Sequence, residues 1–134
     1  MLKEEIHAKI ALAMLYLGEG TKCQGRCTIT FGNSNPIIIR LFLALLRKCY
    51  PIDESKFRCT IQCRADQNIE NLTHYWTSVT NIPLHQFYKS RIDKRTIGKI
   101  TMKPKYNGVC RIDYFSSAIY LDLLAAIDNL TMGS

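Results

Sequence analysis

No apolar run in this chain approaches the ~20 residues that a membrane-spanning helix needs. There is no basic start followed by an apolar stretch and a small-residue cleavage site, so a secreted fate is not expected. The thiols are therefore read as reduced and the compartment as cytoplasmic. No H-E-x-x-H, P-loop or G-x-G-x-x-G occurs, which removes the common signatures of metalloproteases, P-loop enzymes and dinucleotide-binding enzymes. No C-x-x-C occurs among the six cysteines, Cys23, Cys27, Cys49, Cys59, Cys63 and Cys110. Cys23 and Cys27 fall on one side of an alternating stretch, as do Cys59 and Cys63. Residues four apart on a strand are about 13 Å apart, too far to share one ion, so these thiols read as small core hydrophobes. His7, His74 and His85 have no mutual spacing that suggests a site. No repeat is long enough for a solenoid.

Acid is scarce as well. The formal charge is +7 over 134 residues, a large excess for one small domain, and it points to a polyanionic partner. Its distribution sharpens the point. Two stretches alternate with a period of two, the mark of a half-buried strand. In 22–31, Lys22, Gln24, Arg26, Thr28 and Thr30 share one side, opposite Cys23, Cys27, Ile29 and Phe31. In 56–64, Lys56, Arg58, Thr60, Gln62 and Arg64 alternate with Phe57, Cys59, Ile61 and Cys63. Neither polar side carries an acid, whereas an ordinary solvated face mixes signs. A third concentration, Lys89 to Arg111, includes Lys89, Arg91, Lys94, Arg95 and Lys99 and is opposed only by Asp93. Arginine and glutamine are the side chains that read guanine and adenine edges in the major groove. Nucleic-acid binding through these polar faces is the expected function.

The remaining elements follow from periodicity and caps. A first helix is expected over 3–17, with Glu4 and Glu5 in its first turn. Asn35 and Pro36 announce a second over 36–49. A third is expected over 67–80, ended by Pro83. Strands are expected over 86–92 and 109–115, the latter alternating Arg111 and Asp113 with Cys110, Ile112 and Tyr114. The stretch 93–108 is punctuated by Gly98, Pro104 and Asn107-Gly108. A last helix capped by Ser116 or Ser117 runs to about residue 130. The order is α-β-α-β-α-β-β-α over a single domain, 1–132, with Gly133-Ser134 set apart as a cloning remnant. Period-two alternation leaves one sheet face open and the other under helices, an α+β sandwich.

The first helix ends in Leu12-Ala13-Met14-Leu15-Tyr16-Leu17-Gly18-Glu19-Gly20. Glycine is the usual residue at a helix C-terminus. A carboxylate there is not, because the negative end of the helix dipole disfavours it. Glu19 is either an incidental solvated residue or a group kept to bind something positive.

These nine residues resemble a divergent form of the motif of the LAGLIDADG homing endonucleases. Leu12, Ala13 and Leu15 match its Leu-Ala and second Leu, and Glu19-Gly20 matches its terminal Asp-Gly. Met14 stands for a glycine, Tyr16 for an aliphatic residue and Leu17 for an acid. Phe31-Gly32-Asn33-Ser34-Asn35-Pro36, a helix carrying Arg40 and Phe42-Leu43, and Trp76 to Pro83 followed by Gln86-Phe87-Tyr88-Lys89 are similar to later segments of small bacterial members. Some members carry a helix-turn-helix domain ahead of this one, for which this chain has no room.

The resemblance implies a homing-endonuclease-like fold, with a curved antiparallel sheet lying on duplex DNA and helices on its other face. It implies a homodimer through the first helix, with Ile10, Ala13, Met14 and Leu17 at the contact. Each copy then delivers Glu19, with the carbonyl of Gly18, to Mg²⁺ for phosphodiester hydrolysis. On this reading Lys89, Arg91 and Arg111 join the two polar strand faces on the DNA. The alternatives are a binding protein of the same fold without cleavage, such as a transcriptional regulator, and an RNA-binding relative.

Overall fold

A computed structural model describes residues 2–21, 28–99 and 106–131. Helix α1 (Leu2–Glu19) runs without a loop into strand β1 (Gly20–Thr21), and β2 (Ile29–Asn33) follows. Then come α2 (Pro36–Cys49), β3 (Phe57–Arg64), α3 (Ile69–Thr80), β4 (Arg91–Asp93), β5 (Val109–Tyr114) and α4 (Ser117–Thr131). Short 3-10 turns at Glu54–Lys56, Leu84–Gln86 and Lys94–Thr96 join them. The class is α+β, as the alternation and helical spacing require.

The strands form one sheet in the order β1-β2-β5-β3-β4. It is mixed, where a wholly antiparallel sheet was expected. β4 pairs with β3 in parallel, while the other pairs are antiparallel. The reason is the crossover: α3 carries the chain back along the sheet, so β4 enters from the same end as β3.

Register places the sequence pattern on two faces. Ile29, Tyr114 and Phe57 form one cross-strand row, and Phe31, Ile112 and Cys59 the next; all six are buried. The helices cover this side. Phe31 stacks on Phe42 of α2 with ring centroids 4.2 Å apart, and Trp76 of α3 is fully buried with its indole N–H donating to the Asn107 carbonyl at 2.8 Å. Buried Leu12, Ala13 and Tyr16 bring α1 into the same core, and the Tyr16 hydroxyl accepts from the Thr30 backbone N–H at 3.3 Å. Cys59, Cys63 and Cys110 are buried thiols of this core, and Cys49 is half-buried. Burial pushes the Cys63 thiol up, which keeps it protonated and inert.

Local departures from the expected elements have visible causes. The third helix starts at Ile69 because Asn68 caps it, accepting from the Asn71 N–H. Gln67, expected inside that helix, instead accepts from the Arg64 N–H and donates to the Tyr106 carbonyl. The strand expected over 86–92 shrinks to Arg91–Asp93 plus a single bridge from Phe87 to Cys59. Buried Gln86 explains this: its amide donates to the carbonyls of Glu54 and Phe57 and pins the chain in a turn. α1 passes through Gly18 and ends at Glu19, two residues beyond the expected end at Leu17.

Candidate nucleic-acid interface

The second face of the sheet is the polar one. Strand alternation puts Thr30, Asp113 and Arg58 in one row, Gly32, Arg111 and Thr60 in the next, and Val109, Gln62 and Arg91 in a third. Arg64 and Asp93 pair at the far edge. The face is cationic, as expected, but its cations differ in what they are free to do.

Several are engaged. Asp113, buried at the centre, accepts from the Thr30 hydroxyl at 2.7 Å and lies 3.4 Å from the Arg111 guanidinium. Arg58 bends back along its own chain and donates to the carbonyls of Ser55 and Phe57 at 2.6 and 2.7 Å. Thr60 is buried, so its hydroxyl is withheld from a large ligand. Lys56 lies in the 3-10 turn before β3 rather than in the strand, and Lys89 is exposed in the connection before β4. Thr28 is half-buried just ahead of β2. Lys22, Gln24 and Arg26 lie outside the described residues, as do Cys23 and Cys27.

Gln62 and Arg91 are the exposed part of the face, with half-buried Arg64 beside them. With Asp93, Arg95 and Tyr106 they line a recess of about 400 Å³ between β3 and β4. Asp93 is tied to Arg95, whose backbone N–H and guanidinium both donate to it at 3.1 Å. That contact holds the Asp93 carboxyl below its usual range. Tyr106 is the lining residue that sequence reasoning does not single out, because its place depends on the tertiary path of a turn-rich stretch. Arg95 is legible only as one member of a basic run.

α1 has two apolar sides. Ala8, Leu12, Ala13 and Tyr16 are buried, whereas Ile6, Ile10, Met14 and Leu17 are exposed, Met14 by 62% and Leu17 by 49%. The exposed four recur every three to four residues and form a stripe along the helix. Ile10, Met14 and Leu17 are thus available for a helix contact. Ala13 is not: it is fully buried within its own chain, on a helix that packs against α2 and α4. The helix then ends at Glu19, where the chain enters the sheet edge at Gly20.

Among the described residues, no group of three or more His, Cys, Asp or Glu side chains is placed to hold a metal ion. No helix among them is long and apolar enough to cross a membrane. No protein-family model, no curated protein and no solved structure matches this chain.

Proposed function

We propose that this chain binds duplex DNA with the polar face of its sheet and, as a pair of copies joined through α1, hydrolyses the duplex in the manner of a LAGLIDADG homing endonuclease. The observation that carries the reading is the exposed apolar stripe Ile6, Ile10, Met14 and Leu17 on a helix whose last residue, Glu19, meets the sheet edge. Four large apolar side chains at helical spacing, open to water, favour burial against a like surface. A second copy of α1 is self-complementary and would bring two Glu19 residues to one axis.

The donors suit the metal that this reading needs. A carboxylate from Glu19 and the Gly18 carbonyl are hard oxygen ligands of the kind that hold Mg²⁺. One chain offers a single motif acid, so the complete site requires the pair. Held by Glu19 and the Gly18 carbonyl of the two copies, a divalent cation would supply activation of water and charge stabilisation at the leaving oxygen. The arginines of the polar face neutralise phosphates and hold the duplex in register.

Binding without cleavage is the second reading, and Met14 favours it. A long side chain on the helix contact sets two copies of α1, and their acids, farther apart than a small residue would. Glu19→Gln with plasmid DNA and Mg²⁺, against Ca²⁺ as a control, tests both. The endonuclease reading expects cleavage by wild type, loss of cleavage in the variant, and unchanged or tighter DNA binding. Wild type that binds duplex without cutting it, with an affinity indifferent to Mg²⁺, leaves the binding reading. A variant that cuts as well as wild type removes Glu19 from the chemistry.

A further inference from the structure

The recess between β3 and β4 is built differently from the rest of the polar face. Arg64, Arg91 and Arg95 bring three guanidiniums to it against one lining carboxylate, Asp93. Asp93 is already committed to Arg95 through two donors. Arg64 approaches Asp66 only to 3.8 Å, and its Nε is sealed from solvent without a hydrogen-bond partner. A buried donor left unpaired costs free energy, and a bound acceptor is one ordinary remedy. Arg91 and Gln62 are register partners on adjacent strands, and neither side chain has a hydrogen bond or ion pair among the described residues.

Shape separates the two kinds of contact that arginine makes with a duplex. A protruding side chain enters a groove and meets base edges. A recess receives only what protrudes, and on a duplex that is the sugar-phosphate ridge. Position agrees with shape. β4 lies two strand spacings from the central β5, about 10 Å, whereas a major groove is about 12 Å wide and so extends about 6 Å from its centre. If the central strands sit over the groove, β4 falls on its phosphate wall.

We propose that the β3–β4 recess is a backbone-phosphate clamp, in which a phosphodiester of the duplex seats between Arg64 and Arg91 beside the Arg95 that Asp93 holds in place. The inference rests on the duplex-binding reading above and refines it. Arg64 and Arg91 position the duplex without reading its sequence. The clamp also sits at the sheet edge opposite β1, where α1 delivers Glu19.

Filter binding of the full chain to two short duplexes of unrelated sequence, over a salt series, tests the clamp with wild type, Arg91→Gln, Arg91→Lys and Arg64→Gln. Arg91→Gln should weaken both duplexes by the same factor and reduce the slope of log affinity against log salt by about 0.9, the loss of one phosphate contact. Arg91→Lys should restore the slope, since a phosphate accepts any cation. Arg64→Gln should repeat the effect; if its thermal melt shows a loosened fold, Arg91, whose side chain holds nothing internally, decides alone. A loss confined to one duplex with the slope unchanged makes Arg91 a base reader and overturns the clamp. Unchanged affinity and slope overturn it too. Wild type that binds neither duplex removes the clamp and the duplex reading together, and so is distinguishable from failure of the clamp alone.

Discussion

Thr30 and Asp113 face each other across β2 and β5, and the Thr30 hydroxyl donates a 2.7 Å hydrogen bond to the buried Asp113 carboxylate. Arg111, two residues away on the same strand face, adds a contact at 3.4 Å. An acid therefore sits in the middle of a cationic surface and holds one of its arginines. Asp113→Ala should lower stability by about 1–3 kcal/mol, because it strands the Thr30 hydroxyl and leaves Arg111 unpaired. It should also tighten duplex binding, since a repelling charge is lost and a guanidinium is released. Chemical denaturation and filter binding read the two effects. Weaker binding by a fully folded variant would show that Arg111 works only while Asp113 holds it.

Gly108 has φ of +76°, and a β-carbon there would lie 2.5 Å from the Gln62 carbonyl oxygen. That oxygen is backbone of a central strand and has little room to retreat. Gly108→Ala should cost about 3 kcal/mol or more, combining the left-handed conformation with the clash. Asn107-Gly108 is legible as a turn in the sequence; the closeness to Gln62 is not. A denaturation midpoint equal to wild type would contradict this packing.

On α1, neighbouring positions should respond in opposite ways. Leu17 is 49% exposed and Ala13 is fully buried. Leu17→Arg should leave the melting temperature near wild type and convert a dimer to monomers in sedimentation. Ala13→Arg should unfold the chain, since a charge forced among α1, α2 and α4 costs several kcal/mol. Wild type that sediments as a monomer at high concentration, with and without DNA, would remove the paired-helix site.

Lys9 of α1, Asp122 of α4 and Tyr50 at the end of α2 form a polar contact across three helices. Lys9 Nζ lies 2.7 Å from Asp122, and the Tyr50 hydroxyl donates to the same oxygen at 2.6 Å. The Lys9 hydrogen bond, then that from Tyr50, holds the Asp122 carboxyl below its ordinary value of 3.8. A depressed carboxyl stabilises the fold above its unfolded value, and the contribution is lost as pH falls through the folded one. Asp122→Asn should therefore be less stable than wild type at neutral pH, and the gap should close at strongly acidic pH. The gap should be small, because both side chains of the ion pair are more than a third exposed. An equal gap at both pH values would mean that Asp122 acts through packing instead of charge.

The sequence by itself determined what depends on neighbours along the chain. α2 begins and ends where Asn35, Pro36 and the apolar spacing put it, and Asn35 accepts from the Ile37 N–H at 2.9 Å. The alternation from Phe57 to Arg64 sorted core from polar face correctly, because side chains on a strand must alternate whatever the strand pairs with. The tertiary structure decided what depends on distant partners. The parallel seat of β4, the pinning of Gln86, the burial of Ala13 on the inner side of α1 and the bond from Thr30 to Asp113 all arise from segments far apart in the chain, whereas Arg58 and Arg111 are held by near neighbours once the strands are formed. Residue type and spacing state which groups can donate, accept or carry charge. Which of them remain free to meet a ligand depends on the folded conformation: Arg58 turns onto carbonyls of its own segment, while Arg91 on the same cationic face stays exposed.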